Sequence, residues 1–284
     1  MNSQENILSR MLKSYPVKSL KEHFELTGLK QEDLISDVIN SESESDILNF
    51  ATVNFGFLHQ HVYVFSINNS IPSTLNLAGG NIFSDTTTNG VREIFLTIDT
   101  AYTFFNPHSG QQEELVFRCP VMIRATTSQV ILSINILERN VNNYFQHRVF
   151  MTGKDIEDND IIERLNTAFG SSVTITNIDL TDGIKYLWED DFIDAAFVKF
   201  KKSVSTTTES MDEENTLKEH MPDVYAQITG APLDKNVFRI KRDVVSFMPT
   251  FAIEPRKGKL AFTRFPNRVE SIQNLVDLIL TNNR

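Results

Sequence analysis

Two histidines, His59 and His61, stand one residue apart in VNFGFLHQHVYVFSI (53–67), a stretch rich in aromatic and β-branched residues. On a strand, alternation would put both imidazoles on one face with Cα atoms ~6.6 Å apart. Such a pair can supply two positions of a transition-metal site. A catalytic zinc takes about three protein ligands. No acid lies within a few residues, and only His108, in the turn-forming NPHSGQQ, offers a third. The favoured reading makes both rings packed or edge aromatics beside Phe57, Tyr63 and Phe65, with no bound metal or cofactor. A metal-dependent hydrolase centred on His59 and His61 is the enzymatic alternative.

The other chemical pairings are poorer. Cys119 and Arg124 are one residue short of a Cys-(x)5-Arg phosphate cradle, and the intervening PVMI reads as strand. A nucleophilic thiol needs an electropositive loop with free N–H groups, so a structural thiol is expected. Arg139 and His147, with seven residues between them, would fall on different turns of a helix. DIEDND (155–160) lacks the alternating acids and central glycine of a calcium loop and reads as the acidic first turn of a helix. Asp190, Asp191 and Asp194 in WEDDFID could line one side of a helix as ligands, but a solvated helix start explains them more simply. No phosphate-binding or nucleophile-elbow motif occurs. The helix–Gly–helix spacing of SLKEHFELTGLKQEDLISDVI opens its second helix with Gln31, Glu32 and Asp33, which phosphates would repel.

The charge is unevenly spread. The 284-residue chain carries a net −10, yet residues 235–268 hold nine Lys or Arg against Asp243 and Glu254, leaving −17 to the remainder. The island's candidate contact residues are Arg239, Lys241, Arg242, Arg256, Lys257, Lys259, Arg264 and Arg268. They alternate with Phe238, Phe251, Phe262 and Phe265, which could stack on nucleic-acid bases. Three uses compete: docking onto an acidic protein surface, a solvated sheet face, and polyanion binding. The acidic remainder favours docking, on another protein or a second copy of the chain.

These residues must be positioned by an α+β fold. Short apolar stripes predict helices over residues 1–50. Residues 51–150 read as an antiparallel meander of four strands, with Gly79–Gly80 and Asn89–Gly90 in a polar loop after the first. Pro120 cannot donate to a ladder, so its strand is expected at an edge or bulged there. Residues 151–284 read as a mixed α/β part, with one helix over GIKYLWEDDFIDAAFVKFKK (183–202) and a mobile acidic loop near 203–215. A hairpin tipped by Gly258 follows, then a last helix capped by Asn267 and Glu270. The one cysteine excludes an internal disulfide. No secretory signal and no apolar run of ~18 residues is present. The chain therefore reads as a cytoplasmic, non-membrane interaction or regulatory protein, a subunit of a larger or self-associated assembly. That is compatible with a microbial stress or defence system. Nucleic-acid or phosphate-ligand binding through the same hairpin is the alternative.

Overall fold

The computed structural model describes residues 3–28, 30–137, 148–151, 158–201, 206–210, 216–243 and 245–284. The fold is α+β, and the chain divides into two compact units: residues 1–58 with 67–175, and residues 59–66 with 176–284. Among the described residues no helix is long and apolar enough to cross a membrane.

The first unit opens with four helices, α1 (Ser3–Leu12), α2 (Val17–Phe24), α3 (Gln31–Ser41) and α4 (Glu44–Val53). Their apolar stripes converge on one cluster that includes Met11, Leu12, Leu20, Val38 and Phe50, and Phe95 of the sheet closes it. Tyr15 donates to the Ala51 carbonyl at 3.1 Å inside this cluster, where burial pushes its phenol well above the usual range.

The sheet of this unit runs β2 (Gly80–Thr88), β3 (Val91–Asn106), β4 (Gln111–Ala125), β5 (Gln129–Asn135), all antiparallel, with β6 (Phe150–Met151) added to the far end of β3. α5 (Asp158–Phe169) follows, with Ile161, Leu165 and Phe169 buried. Arginines fasten the helices to the sheet. Arg10 of α1 donates to the Val116 carbonyl, and Arg118 of β4 bonds Asp99 of β3 at 2.9 Å and Glu44 of α4 at 2.7 Å.

Two expectations fail in this unit. The polar stretch after residue 79 is not a loop. It forms β2, and Asn89 and Gly90, at φ 52° and 79°, make the two-residue turn into β3. Positive φ at both positions matches the twist of a tight hairpin. The three threonines are exposed on β2 and Ser84 is half-buried, so the strand needs few apolar residues. Pro120 is neither at an edge nor at a bulge. β4 lies between β3 and β5, its register with β3 is unbroken, and Pro120 faces Thr97. The paired residues of β4 and β5 begin at Val121, so the proline sits just past that ladder's end.

The second unit is an antiparallel sheet in the order β1 (Gln60–Ile67), β12 (Lys259–Phe262), β11 (Thr250–Glu254), β10 (Leu233–Ile240), β8 (Ile193–Lys201), β9 (Thr206–Ser210). β7 (Ile175–Asn177) pairs with β1. The helices are α6 (Thr181–Glu189), α7 (Leu217–His220), α8 (Pro222–Thr229) and α9 (Ser271–Asn282). Phe238, Phe251 and Phe262 form a buried row across β10, β11 and β12, with ring centroids 5.9 and 6.3 Å apart. Trp188 of α6 meets Phe238 edge-on at 5.2 Å. α6 and α9 touch so closely that a Cβ on Gly183 would lie 2.4 Å from the Ile279 carbonyl.

Here the expected single helix over 183–202 is a helix and a strand. α6 stops because Asp191 turns left-handed, at φ 56°, and Phe192 N–H returns to the Leu187 carbonyl. The chain then runs out as β8, whose backbone groups are taken by β10 on one side and β9 on the other. Tertiary pairing overrides the helical preference of Ala195 and Ala196. Within the expected loop near 203–215, Thr206–Ser210 is β9, and residues 203–205 and 211–215 lie outside the described residues. The last helix has no capping box. Its N-cap is Glu270, and the preceding turn closes with an i→i−3 bond from Ser271 N–H to the Arg268 carbonyl.

Gly258 ends the turn between β11 and β12, but it is packed rather than exposed. It sits at φ 59°, and a Cβ there would meet the Val64 carbonyl at 2.6 Å and the Ile178 carbonyl at 2.8 Å. Gly90 is at φ 79° with nothing within 4 Å. Gly90→Ala is expected to cost about 1–2 kcal/mol, the left-handed penalty alone. Gly258→Ala adds a clash with two backbone carbonyls and is expected to cost at least about 1–3 kcal/mol more, on the scale of overpacking. Urea unfolding of both variants checks the difference.

Candidate interaction surface

Register places the basic island. Arg239 lies opposite Thr250, Ala252 opposite Ala261, and Glu254 opposite Lys259. The cations therefore fall at two ends of the β10–β11–β12 sheet, separated by the length of β11, about 13 Å at ~3.3 Å per residue. Lys235, Arg256, Lys257 and Lys259 gather at the end made by the tight turn. Lys241, Arg242, Arg264 and Arg268 belong to the opposite end, with Arg239 one pair inside it. Asn274 of α9 donates to the Ser246 carbonyl in the β10–β11 connection, which holds the turn carrying Arg268 at this second end.

At the first end two of the four cations, Lys257 and Lys259, have partners within the unit. Lys257 bonds Glu254 at 2.7 Å. That bond, with the nearby charges of Lys259 and Lys235, holds the Glu254 carboxyl below its ordinary pKa. Lys259 lies 5.1 Å from the centroid of Tyr63, its cross-strand partner on β1. Arg256 borders an open cleft of about 370 Å³, but Asp179 and Asp182 share that cleft with Lys185, so it has no dominant sign.

The second end is different. Arg242 is paired with Asp190 at 3.1 Å, but among the described residues Lys241, Arg264 and Arg268 make no ion pair and all three are exposed. Between the two arginines of the chain segment 264–268 stands Phe265, 45% exposed. Its ring lies against His59, centroids 4.2 Å apart and planes at 29°. Burial lowers the pKa of His59 from its ordinary value. An exposed aromatic ring braced from behind and flanked by unpaired guanidiniums has the composition of an interface anchor.

Among the described residues the remaining sequence candidates do not come together at one place. His59 precedes β1 and stacks on Phe265, whereas His61 lies within β1 opposite Ala261. Among the described residues no three His, Cys, Asp or Glu side chains converge as metal ligands. Cys119 is 2% exposed. Five positions along the same strand, Arg124 points to the other face and pairs with Glu93. The three aspartates of WEDDFID do not share a helix side. Asp190 caps α6, Asp191 bonds Lys218, and Asp194 is buried on β8, where it accepts from Trp188 Nε1 and Leu217 N–H. Arg139 and His147, and Asp155 to Glu157 of DIEDND, lie outside the described residues, while Asp158 and Asp160 open α5. No protein-family model matches the chain, and no curated protein matches it.

Sequence reading named Arg264 and Arg268 but assigned Phe265 to the same class as the three buried phenylalanines. The available signal was Pro266, which ends the strand alternation and so takes Phe265 out of the inner row.

Because the ring of Phe265 covers His59, Phe265→Ala should raise the imidazole pKa toward its ordinary value near 6.5. The sign follows from desolvation, which disfavours the imidazolium and is relieved when the ring is removed. In the wild type, the stability this neutral imidazole contributes is present above the ordinary pKa and falls as pH drops through it toward the lowered folded value. A proton NMR titration of the histidine ring in both proteins measures the shift, and an unchanged value would mean that the stack does not exist in solution.

Proposed function

We propose that the protein is a non-catalytic, cytoplasmic interaction protein that docks an acidic protein surface through the Arg264–Phe265–Arg268 end of its second unit. The observation that carries this reading is the exposed Phe265, braced by His59 and flanked by cations that make no ion pair among the described residues. The ring supplies apolar area at the centre of a contact, and Arg264, Arg268 and Lys241 supply long-range attraction and orientation. The partner is expected to present carboxylates around a shallow apolar depression.

Nucleic acid is a weaker fit. Three of the four phenylalanines named for base stacking, Phe238, Phe251 and Phe262, are no more than 2% exposed. The cations are also divided between two ends of the sheet rather than aligned along a backbone-sized groove.

Affinity capture from extract of the native source tests the proposal, with wild type beside Arg264→Glu/Arg268→Glu. An acidic protein should be retained by the wild type and lost from the reversed variant. With that partner purified, affinity should fall at least about tenfold on reversal, equivalent to 1.4 kcal/mol, and fall again as salt rises, because exposed charges are screened beyond ~8 Å. Retention that survives charge reversal, or a captured component destroyed by nuclease, would overturn it.

A further inference from the structure

The first unit carries a second candidate surface, independent of the basic end: the open edge of β2. β2 pairs with β3 on one side and, among the described residues, with nothing on the other. The stretch Ser84–Thr88 is regular, since the one register shift falls between Ile82 and Ser84. It contains no proline and no lysine, two of the devices by which edges are protected.

The hairpin geometry shows which backbone groups face outward. Asn89 and Gly90 form a two-residue turn, closed by Thr88 opposite Val91. In such a hairpin the closing pair exchanges both hydrogen bonds, and pairs then alternate. Thr88–Val91, Thr86–Glu93 and Ser84–Phe95 are therefore bonded pairs. Thr87 and Asp85, opposite Arg92 and Ile94, turn their N–H and C=O groups to the open side.

That spacing is self-complementary. An antiparallel copy of β2 related by a two-fold axis through Thr86 places Asp85 opposite Thr87 of the copy, and Thr87 opposite Asp85. Both are outward-facing residues, so the two pairs can exchange about four backbone hydrogen bonds. Thr86 then faces Thr86 of the copy, and no carboxylate faces another. Registers centred on Asp85 would oppose like charges, which is destabilising.

Charge also selects the occupant. A chain of net −10 repels its copies unless they meet at a neutral site. The hairpin is such a site. Asp85 is held by Arg92 at 2.6 Å, with Arg92 also donating to the Ser73 carbonyl, and Glu93 pairs with Arg124 at 3.4 Å. Ile82 and Phe83, 38% and 39% exposed, lie where the turn of the second copy would reach them.

We propose that two copies of the chain associate through β2, antiparallel and in the register that centres on Thr86. The contact is small, so the dimer is expected to be weak and concentration-dependent.

Thr86→Cys tests the register in the full-length protein. Thr86 would be a non-bonded pair across the axis, with Cα atoms ~4.5 Å apart, within disulfide reach. Mild oxidation should give a covalent dimer. Ser84→Cys alone should give none, but mixed with Thr88→Cys it should give a crosslinked heterodimer. Native Cys119 is 2% exposed and does not compete. Thr87→Pro removes one outward N–H without touching the β3 ladder. Sedimentation at rising concentration should show wild-type dimer and at least a tenfold weaker dimer for this variant, with circular dichroism confirming its fold. A wild type that stays monomeric, a crosslink from Ser84→Cys alone, or undiminished association of folded Thr87→Pro would each overturn the proposal.

Discussion

Three phenylalanine rings, one from each of three neighbouring strands, set the arrangement of the second unit. Phe238, Phe251 and Phe262 lie in one row on the buried face, so every residue one position away must point outward. Side chains on a strand alternate with period two, and a slip of one residue would bury Arg239, Lys259 and Glu254 while exposing the aromatic row. Burying a large aromatic side chain contributes about 1.5–3 kcal/mol, whereas burying an unpaired charge costs several. The register is thus specified twice, by what it buries and by what it keeps wet. The outward positions of Arg239 and Lys259 follow from that row and need no functional cause.

The first unit solves a different problem with the same residue type. Its helices meet a sheet face that is apolar at Phe95 and Met122 but carries Arg118 at a neighbouring position. Arg118 is only 12% exposed, and a cation so placed requires partners. Asp99 supplies a paired fork and Glu44 of α4 a single bond. The arginine therefore ties two strands and a helix at one point. Arg10 does the equivalent from α1, giving its guanidinium to the Val116 carbonyl and lying over the ring of Phe117. These are structural cations. Their burial separates them from the exposed and unpaired Arg264 and Arg268.

Much of this was legible in the chain. The apolar stripes of the N-terminal helices, the long β3–β4 pair and the β4–β5 hairpin all carry local periodicity strong enough to read. What was not legible depended on partners distant in sequence. β2 is polar because most of its side chains are exposed, so its sequence resembles a loop until β3 is laid beside it. β8 follows a helix without a proline or glycine to mark the change, and only pairing with β10 and β9 makes it a strand. What sets the island's last phenylalanine apart from the buried row was hidden for a related reason. Alternation groups residues by parity along a strand, and Phe265 lies beyond the strand's end, where its neighbour is His59, more than two hundred positions away. The histidines, in turn, looked like a pair because spacing is visible in sequence and the start of a strand is not.

The basic island poses the wider question of why an acidic chain concentrates positive charge in one segment. Part of the answer is local neutralisation. Glu254 lies among Lys257, Lys259 and Lys235 and is held ionised by them, and Asp190 answers Arg242. A strand pair that alternates inward phenylalanines with outward residues can draw those outward residues from either sign, and long cationic side chains can also lay their methylene stems over half-buried sheet surface. Lys259 instead sets its ammonium 5.1 Å from the centre of the Tyr63 ring. This accounts for the end near the tight turn without invoking a partner. It does not account for Arg264 and Arg268, which are exposed and, among the described residues, make no ion pair. Arg264 and Arg268 stand beside the one exposed phenylalanine of the island. The coincidence of exposed cations and an exposed ring at the same place is what the proposed docking role rests on.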